Sequence, residues 1–156
     1  MILINNILKL YKKGYYLEPK NGFIMEMPNE ALKEQLAYDG NDMGDAVYKQ
    51  LCTASEMYYR FDSNEEMKKK AINILADILE SVREDVKNVL NSEYQINKNE
   101  HDRLIFDVVN SYNIRHNNGK QKTDYSKEIW YDWMMQYYTS TIITYHRLKK
   151  KHEFVF

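Results

Sequence analysis

Cysteine, proline and glycine are scarce in this chain of 156 residues, which contains one, two and five of them respectively. The single Cys52 excludes an internal disulfide and is typical of a reducing compartment. So few prolines and glycines argue against a β-sandwich, which needs a turn after roughly every 8–12 residues. The formal net charge of −1 also excludes a chain that binds polyanions through its overall charge.

A long uninterrupted apolar segment is missing as well. The stretch MILINNILKLYKKGYY is rich in Ile and Leu, but two asparagines interrupt it, and Lys12 and Lys13 follow its apolar part. A secretory signal has its positive charge before the apolar run, and a helix that spans a bilayer needs about 20 apolar residues. We therefore expect a short amphipathic helix that packs on the domain, no membrane partner, and a cytoplasmic protein.

Apolar residues make up 44% of the chain, and 14 residues are tyrosines, whose rings suit half-buried helix faces. In four long segments the apolar positions recur three and four residues apart, as they do on one face of a helix. These predicted helices cover residues 44–60, 64–91, 99–112 and the aromatic segment from Ile129 to Leu148. The chain is therefore predicted to be all-α, as an antiparallel bundle of four main helices.

The length of the chain predicts a single domain over residues 1–156. We expect residues 1–43 to form an N-terminal helix and a covering loop, and residues 44–156 to form the helical bundle. The turn-forming residues that predict this loop, or a short extended piece over the core, are Gly14, Pro19 and Gly22.

The start of the second long helix has its own signal, the sequence SNEE. This pattern predicts a capping box, in which the Ser63 hydroxyl accepts a hydrogen bond from the Glu66 amide and the Glu66 side chain reaches back. It would fix the beginning of the helix predicted over residues 64–91.

Metal sites find little support in the sequence. The four histidines, His101, His116, His146 and His152, include no pair at the spacing of a zinc-binding HExxH segment. One cysteine cannot build a structural zinc site, and the absence of an ExxH segment argues against a di-iron bundle. We therefore predict no metal and no cofactor. Cys52 lies in an apolar-spaced helical stretch, which favours a buried structural thiol over a nucleophile.

The segment VVNSYNIRHNNGKQKTDY, residues 108–125, gathers polar and basic side chains between two predicted helices. A neutral His116 can remove a proton from a ribose 2′-OH, while Arg115 stabilises the charge that builds on phosphorus. The other interpretation is a helix end, where Arg115 and His116 bond the last carbonyls and Asn117 and Gly119 suit the C-cap. Composition alone leaves both interpretations open.

Two further features also have a structural and a functional interpretation. The basic segment HRLKKKH near the C-terminus complements the dipole at a helix end, or it contacts nucleic acid. The aromatic stripe with Trp130 and Trp133 forms core or a dimer seam, or it stacks bases if several rings stay exposed.

The third predicted helix and the aromatic helix after it resemble the HEPN-type helical domains of prokaryotic abortive-infection and toxin systems. The resemblance covers residues 45–150 and rests on DRLIFDVVNSYNIRHNNGKQ followed by KEIWYDWMMQYYTSTIITYH. Its most specific part is an N-x-x-x-I-R-H step, matched by Asn110, Ile114, Arg115 and His116. The resemblance implies an all-helical fold, a homodimer, and an RNA-cleaving cleft shared by the two copies.

One position departs from the pattern of the active members. They carry an arginine directly before the polar residue that Asn110 matches, and this chain has Val109 there, which cannot contact phosphate. Arg115, or Arg83 from a neighbouring helix, would have to replace the missing arginine. Otherwise the site is degenerate, and the domain binds RNA or a partner without cutting it.

On this resemblance the chain is an RNA-directed protein of a defence or toxin system, acting as a metal-independent endoribonuclease. The candidate catalytic residues are His116, Arg115 and Asn110, and the candidate RNA-binding residues are Lys120, Lys122 and Asn117. The implied partners are a second copy of the chain, RNA, and a cognate antitoxin or defence protein. The alternative is a non-catalytic module for dimerisation or partner binding.

Overall fold

The computed structural model describes residues 2–27, 30–37, 42–94, 100–112, 114 and 124–153, and this part of the chain is mostly helical. Its elements are α1 (Ile2–Leu8), β1 (Tyr15–Leu17), β2 (Ile24–Glu26), α2 (Glu30–Leu36), α3 (Asp45–Tyr59), α4 (Glu65–Ser81), α5 (Arg83–Tyr94), α6 (Glu100–Ser111) and α7 (Lys127–Glu153). The predicted all-α class is confirmed at this level, with one two-stranded sheet added to the helices. None of the described helices combines the length and the apolar character that a membrane span requires.

The long helix α7 is central to the core. It packs against α2, α4 and α5, while α3 packs on α4, and α6 packs on α4 and α5. Its buried side chains include Met134, Tyr138, Ile142 and Tyr145. The hydroxyl of Tyr138 is satisfied in the interior, because it donates to the Ile105 carbonyl of α6 at 2.7 Å. Much of the predicted aromatic stripe is therefore core.

Three of the four predicted long helices are confirmed with nearly the predicted bounds. The helix predicted over residues 44–60 is α3, the one over 99–112 is α6, and the segment from Ile129 to Leu148 lies within α7. The prediction of one continuous helix over residues 64–91 is wrong, because α4 ends at Ser81 and α5 begins at Arg83.

The break between α4 and α5 is visible in the hydrogen bonds around Val82. In a continuous helix the Val82 amide would bond the Ile78 carbonyl, and this carbonyl accepts a hydrogen bond from the Ser81 hydroxyl at 2.7 Å. The Val82 amide bonds the Leu79 carbonyl instead, at 3.2 Å. The apolar stripe nevertheless continues beyond the break to the buried Val86, so periodicity alone predicts one helix.

The cap of α4 lies one residue later than the sequence predicted. Asn64, in an extended conformation, accepts a hydrogen bond from the Met67 amide at 2.9 Å. The Ser63 hydroxyl, which was predicted to be the cap, has no hydrogen-bond partner among the described residues. The prediction is wrong because Ser and Asn cap helices about equally well, and the sequence offers both in succession.

The strands β1 and β2 form an antiparallel hairpin in which Tyr15 lies opposite Glu26. Between the strands, Gly22 has a φ of 74°, a conformation that favours glycine. The Phe61 amide donates to the Ile24 carbonyl at 2.8 Å and ties the hairpin to the chain that leaves α3. Of the two predicted forms of this region, the short extended piece is confirmed and the plain loop is wrong.

The helix α1 forms as predicted, but it buries none of its side chains. The helix packs on β1, as predicted, but Ile4 is 48% exposed and Ile2 is 81% exposed, so its apolar face stays largely uncovered. The contact with the hairpin instead involves Asn5, whose side-chain oxygen accepts a hydrogen bond from the Leu17 amide at 2.7 Å. A polar residue that interrupts the apolar pattern thus holds this helix in place.

His146 lies half-buried on α7, where its Nε2 has no hydrogen-bond partner among the described residues. Burial, and then the nearby Lys149 ammonium, lowers the pKa of this imidazole, while Asp42 and Asp85 oppose the shift. The unfolded chain therefore takes up a proton below a pH of about 6.5 that the folded protein does not bind, so acid lowers the free energy of unfolding in this range.

We predict that His146→Gln reduces this sensitivity to acid. Urea denaturation between about pH 7.5 and about pH 5.5 is expected to show a smaller loss of unfolding free energy in the variant than in the native protein. This range lies above the pH at which Asp85 titrates, since hydrogen bonds from Lys149 and Tyr145 lower the pKa of that carboxyl. His152→Gln, which removes an imidazole from the last turn of the same helix, is the control. Equal slopes for His146→Gln and the native protein would contradict the prediction.

Candidate functional site

The helix α6 sends two adjacent residues in different directions. Val109 is 1% exposed and belongs to the core, whereas Asn110 is exposed. Position 109 is the one at which the resemblance requires an arginine, and an arginine there would bury an uncompensated charge. The departure at this position therefore has a packing reason. Asn110 lies at the surface.

Five of the predicted site residues, Arg115, His116, Asn117, Lys120 and Lys122, lie outside the described residues. Of the predicted catalytic and RNA-binding set, the structure thus describes the position of Asn110 alone. It does describe the residues that flank this segment, Ile114 before it and Tyr125 after it. The geometry of the candidate site is built from these flanking positions and from the helices that hold them.

Ile114 fixes the chain in the core directly before Arg115. The residue is fully buried, and its amide donates to the Val109 carbonyl at 3.3 Å. Its own carbonyl accepts a hydrogen bond from Asn73 Nδ2 at 2.8 Å. Because Asn73 lies on α4, the exit from α6 is held by two helices at once.

The far side of the same segment is held by a pair of tyrosines. The Tyr125 hydroxyl donates to the Tyr112 carbonyl at 2.7 Å, and the two rings meet edge to face with their centroids 5.0 Å apart. Burial raises the pKa of the Tyr125 hydroxyl, which keeps it protonated as a donor. The end of α6 and the residues that lead into α7 are therefore held next to each other.

We predict that Asn73→Ala lowers the free energy of unfolding by about 1–3 kcal/mol, because the buried Ile114 carbonyl loses its donor. Urea denaturation measures the change. Asn88→Ala, on an exposed position of α5, is the matched control and should change stability by less than about 0.5 kcal/mol. If the two variants unfold alike, the Asn73 hydrogen bond does not hold this segment.

Arg83, at the start of α5, contacts α6 on the side that carries Asn110. Its guanidinium carbon lies 4.1 Å from the centroid of the Phe106 ring, and its Nη1 lies 3.4 Å from a carboxylate oxygen of Glu80. Phe106 and Asn110 are four residues apart on α6, and this spacing places them on the same side of the helix. The structure thus brings an arginine from the neighbouring helix to the turn before Asn110.

An apolar groove with a volume of about 390 Å³ runs between α6 and α7. Its lining residues, which define the α6–α7 groove, are Leu104, Val108, Tyr112, Ile129, Trp130 and Trp133. Leu104 is 45% exposed and Ile129 is 68% exposed, while both tryptophans are half-buried. In the first turns of the aromatic stripe, Ile129, Trp130 and Trp133 therefore reach the surface, whereas the later turns are mostly buried.

Among the described residues, no group of His, Cys, Asp and Glu side chains is arranged to hold a metal ion. Comparison of the chain with protein-family models, curated proteins and solved structures finds no match. The functional interpretation therefore depends on the anchored end of α6, on the nearby guanidinium and on the α6–α7 groove.

Proposed function

We propose that this chain is an HEPN-like, RNA-directed protein of the cytoplasm, with its main helices in an antiparallel bundle. It acts as a metal-independent endoribonuclease in a defence or toxin system. The observation that carries the proposal is the anchored end of α6, where Asn110 is exposed, Ile114 is fixed in the core and Arg83 stacks on the same side of the helix. A fixed entry into a segment that carries Arg, His and Lys supports phosphodiester chemistry, because such chemistry depends on positioned groups.

Each polar residue has a role in this proposal. His116 acts as general base or acid at the ribose 2′-OH, and the Arg115 guanidinium stabilises charge on the phosphorane. Asn110 orients the substrate or the imidazole, and Arg83 supplies a second guanidinium close to it. The residues that hold the RNA backbone are Lys120, Lys122 and Asn117.

The α6–α7 groove is the surface that we assign to a second copy of the chain. It exposes Leu104 and Ile129 beside the two half-buried tryptophans. Exposed apolar patches with aromatic side chains are typical of protein interfaces. A two-fold dimer through this groove would bring two α6 helices into one assembly, and a cognate antitoxin is a further candidate for the same surface.

Incubation of the purified protein with single-stranded and with structured RNA tests the enzymatic proposal. Cleavage is expected in the presence of a chelator, with 2′,3′-cyclic phosphate ends on the products, because the 2′-OH is the nucleophile. Cleavage that the chelator abolishes would contradict the metal-independent mechanism. If both RNAs stay intact over hours, the chain is not an active ribonuclease of this kind.

A non-catalytic module for dimerisation or partner binding is the second candidate function. The burial of Val109 favours it, because the arginine of the active pattern cannot occupy this core position. Such a module would bind RNA or a partner without cleavage, and His116→Ala would lower stability but leave binding largely unchanged. Fluorescence anisotropy of labelled RNA, measured beside the cleavage assay, distinguishes the two functions.

A further inference from the structure

A cavity of about 150 Å³ lies between the β1–β2 hairpin and α3. The buried Met25 and Leu51 give it an apolar surface, and the rings of Tyr16, Tyr48 and Tyr59 also line it. Ligand sites typically combine apolar and aromatic walls with a few polar groups, as this cavity does. Its size limits a ligand to a few non-hydrogen atoms.

The charged side chains that line this cavity in the described part of the chain are all acidic. The ionised side chains among its lining residues are Glu18, Glu26 and Glu56. Lys13 lies 3.6 Å from the Glu26 carboxylate. Glu18 and Glu56 have no ion-pair partner in the part of the chain that the structure describes. Two carboxylates that lack a counter-ion at one cavity favour a cationic ligand.

A serine hydroxyl adds a further acceptor to the lining of this cavity. Ser55 lines the cavity, is only 9% exposed, and donates its hydroxyl hydrogen to the Leu51 carbonyl at 2.9 Å. The hydroxyl oxygen therefore keeps the capacity to accept a hydrogen bond and has no further donor. With the carboxylates, it makes a set of acceptors that a donating ligand would satisfy.

Tyr16 lines the cavity together with both of the carboxylates that lack a counter-ion. Burial raises the pKa of its phenol, and the charges of Glu18 and Glu56 raise it further. The two acids come from the hairpin and from α3, and both line the same cavity as Tyr16. A neutral tyrosine ring presents its electron-rich face, which also attracts cations.

We propose that this cavity binds a small aliphatic amine in its protonated, alkylammonium form. The ammonium group donates to Glu18, Glu56 and Ser55, and the alkyl chain packs on Met25 and Leu51. An ammonium carries three hydrogens for these acceptors, whereas an alcohol of the same size carries one. The proposal is independent of the proposed function on RNA.

Cys52 provides a site-specific reporter, because it lines the cavity and is the only cysteine of the chain. The sequence predicts a buried thiol, but Cys52 is only half-buried in the structure, so reagents can reach it. The thiolate attacks a methanethiosulfonate, forms a mixed disulfide and releases methanesulfinate. The rate of each reagent with Cys52 is divided by its rate with N-acetylcysteine. This ratio should be about tenfold or more higher for the cationic trimethylammonioethyl reagent than for the anionic sulfonatoethyl reagent. Equal relative rates would overturn the proposal.

Butylammonium is the ligand probe in the second measurement. It should slow the labelling of Cys52 and raise the Tm of the native protein as its concentration increases. The neutral n-butanol has the same alkyl chain and should have little effect at the same concentrations. Equal protection by the two compounds, or none by butylammonium, would show that the cavity does not select an alkylammonium.

Paired substitutions separate the effect of the cavity carboxylates from the effect of the overall charge of the protein. Glu18→Gln with Glu56→Gln should lower the preference for the cationic reagent and the protection by butylammonium, each by about tenfold. Glu66→Gln with Glu84→Gln removes two exposed carboxylates on α4 and α5 and should retain both effects. Equal losses in the two pairs would overturn the proposal. Glu56→Gln alone, at an exposed position, serves as the test if the double variant does not fold.

Discussion

Replacing His116 with alanine is expected to lower the rate of RNA cleavage by about a hundredfold or more. Alanine can neither take the proton from the 2′-OH nor return one to the leaving oxygen. The free energy of unfolding should change by no more than about 1 kcal/mol, as for a side chain at a surface site. Initial cleavage rates on labelled RNA and urea denaturation measure the two quantities.

His152→Ala is the matched control, because it removes an imidazole from the last turn of α7, on a different helix. This variant should cleave RNA at the native rate. The opposite pattern, in which His116→Ala loses stability and both variants bind RNA equally, would identify His116 as part of a helix cap. The interpretation of this segment as a simple helix end would then be correct.

The long helices could be predicted because their apolar spacing is a local property of the sequence. The helices α6 and α7 both follow stripes with intervals of three and four residues. The end of α4 is different, because the Val82 amide bonds the Leu79 carbonyl there and not the Ile78 carbonyl one residue earlier. The apolar stripe is the same in either case, so hydrophobic periodicity could not reveal the break.

The N-terminal region shows a second limit of the apolar pattern. Such a pattern predicts that a helix has an apolar face, but it does not say whether anything covers that face. In α1 the face is exposed, and the anchor is the polar Asn5. The strands β1 and β2 have three residues each, which is too short for alternation to be recognised.

The candidate site combines a local part and a distant part. The sequence alone indicated that Asn110 and the following segment carry suitable chemistry. The groups that hold this segment are distant in the chain, since Asn73 is 41 residues from Ile114. The contact of Arg83 with Phe106 likewise depends on how α5 packs against α6. No spacing rule along the chain predicts such contacts.

Replacing Ile129 with glutamate is expected to raise the dissociation constant of the proposed homodimer by about a hundredfold or more. Ile129 is 68% exposed in the single chain, so a glutamate there should leave the fold intact. In a two-fold dimer each substitution occurs twice, and two carboxylates would be buried in the α6–α7 groove. Sedimentation velocity over a range of protein concentrations measures the dissociation constant.

Leu10→Glu is the control, because Leu10 is 83% exposed on the apolar surface next to α1 and lies outside the α6–α7 groove. This variant should remain dimeric; if it dissociates while Ile129→Glu does not, the interface lies at the N-terminal surface. A native chain that is monomeric at all concentrations would contradict the dimer itself. Because the proposed cleft needs two copies, Ile129→Glu should also lose RNA cleavage in proportion to its loss of dimer. Full cleavage by the monomeric variant would mean that each chain carries a complete site.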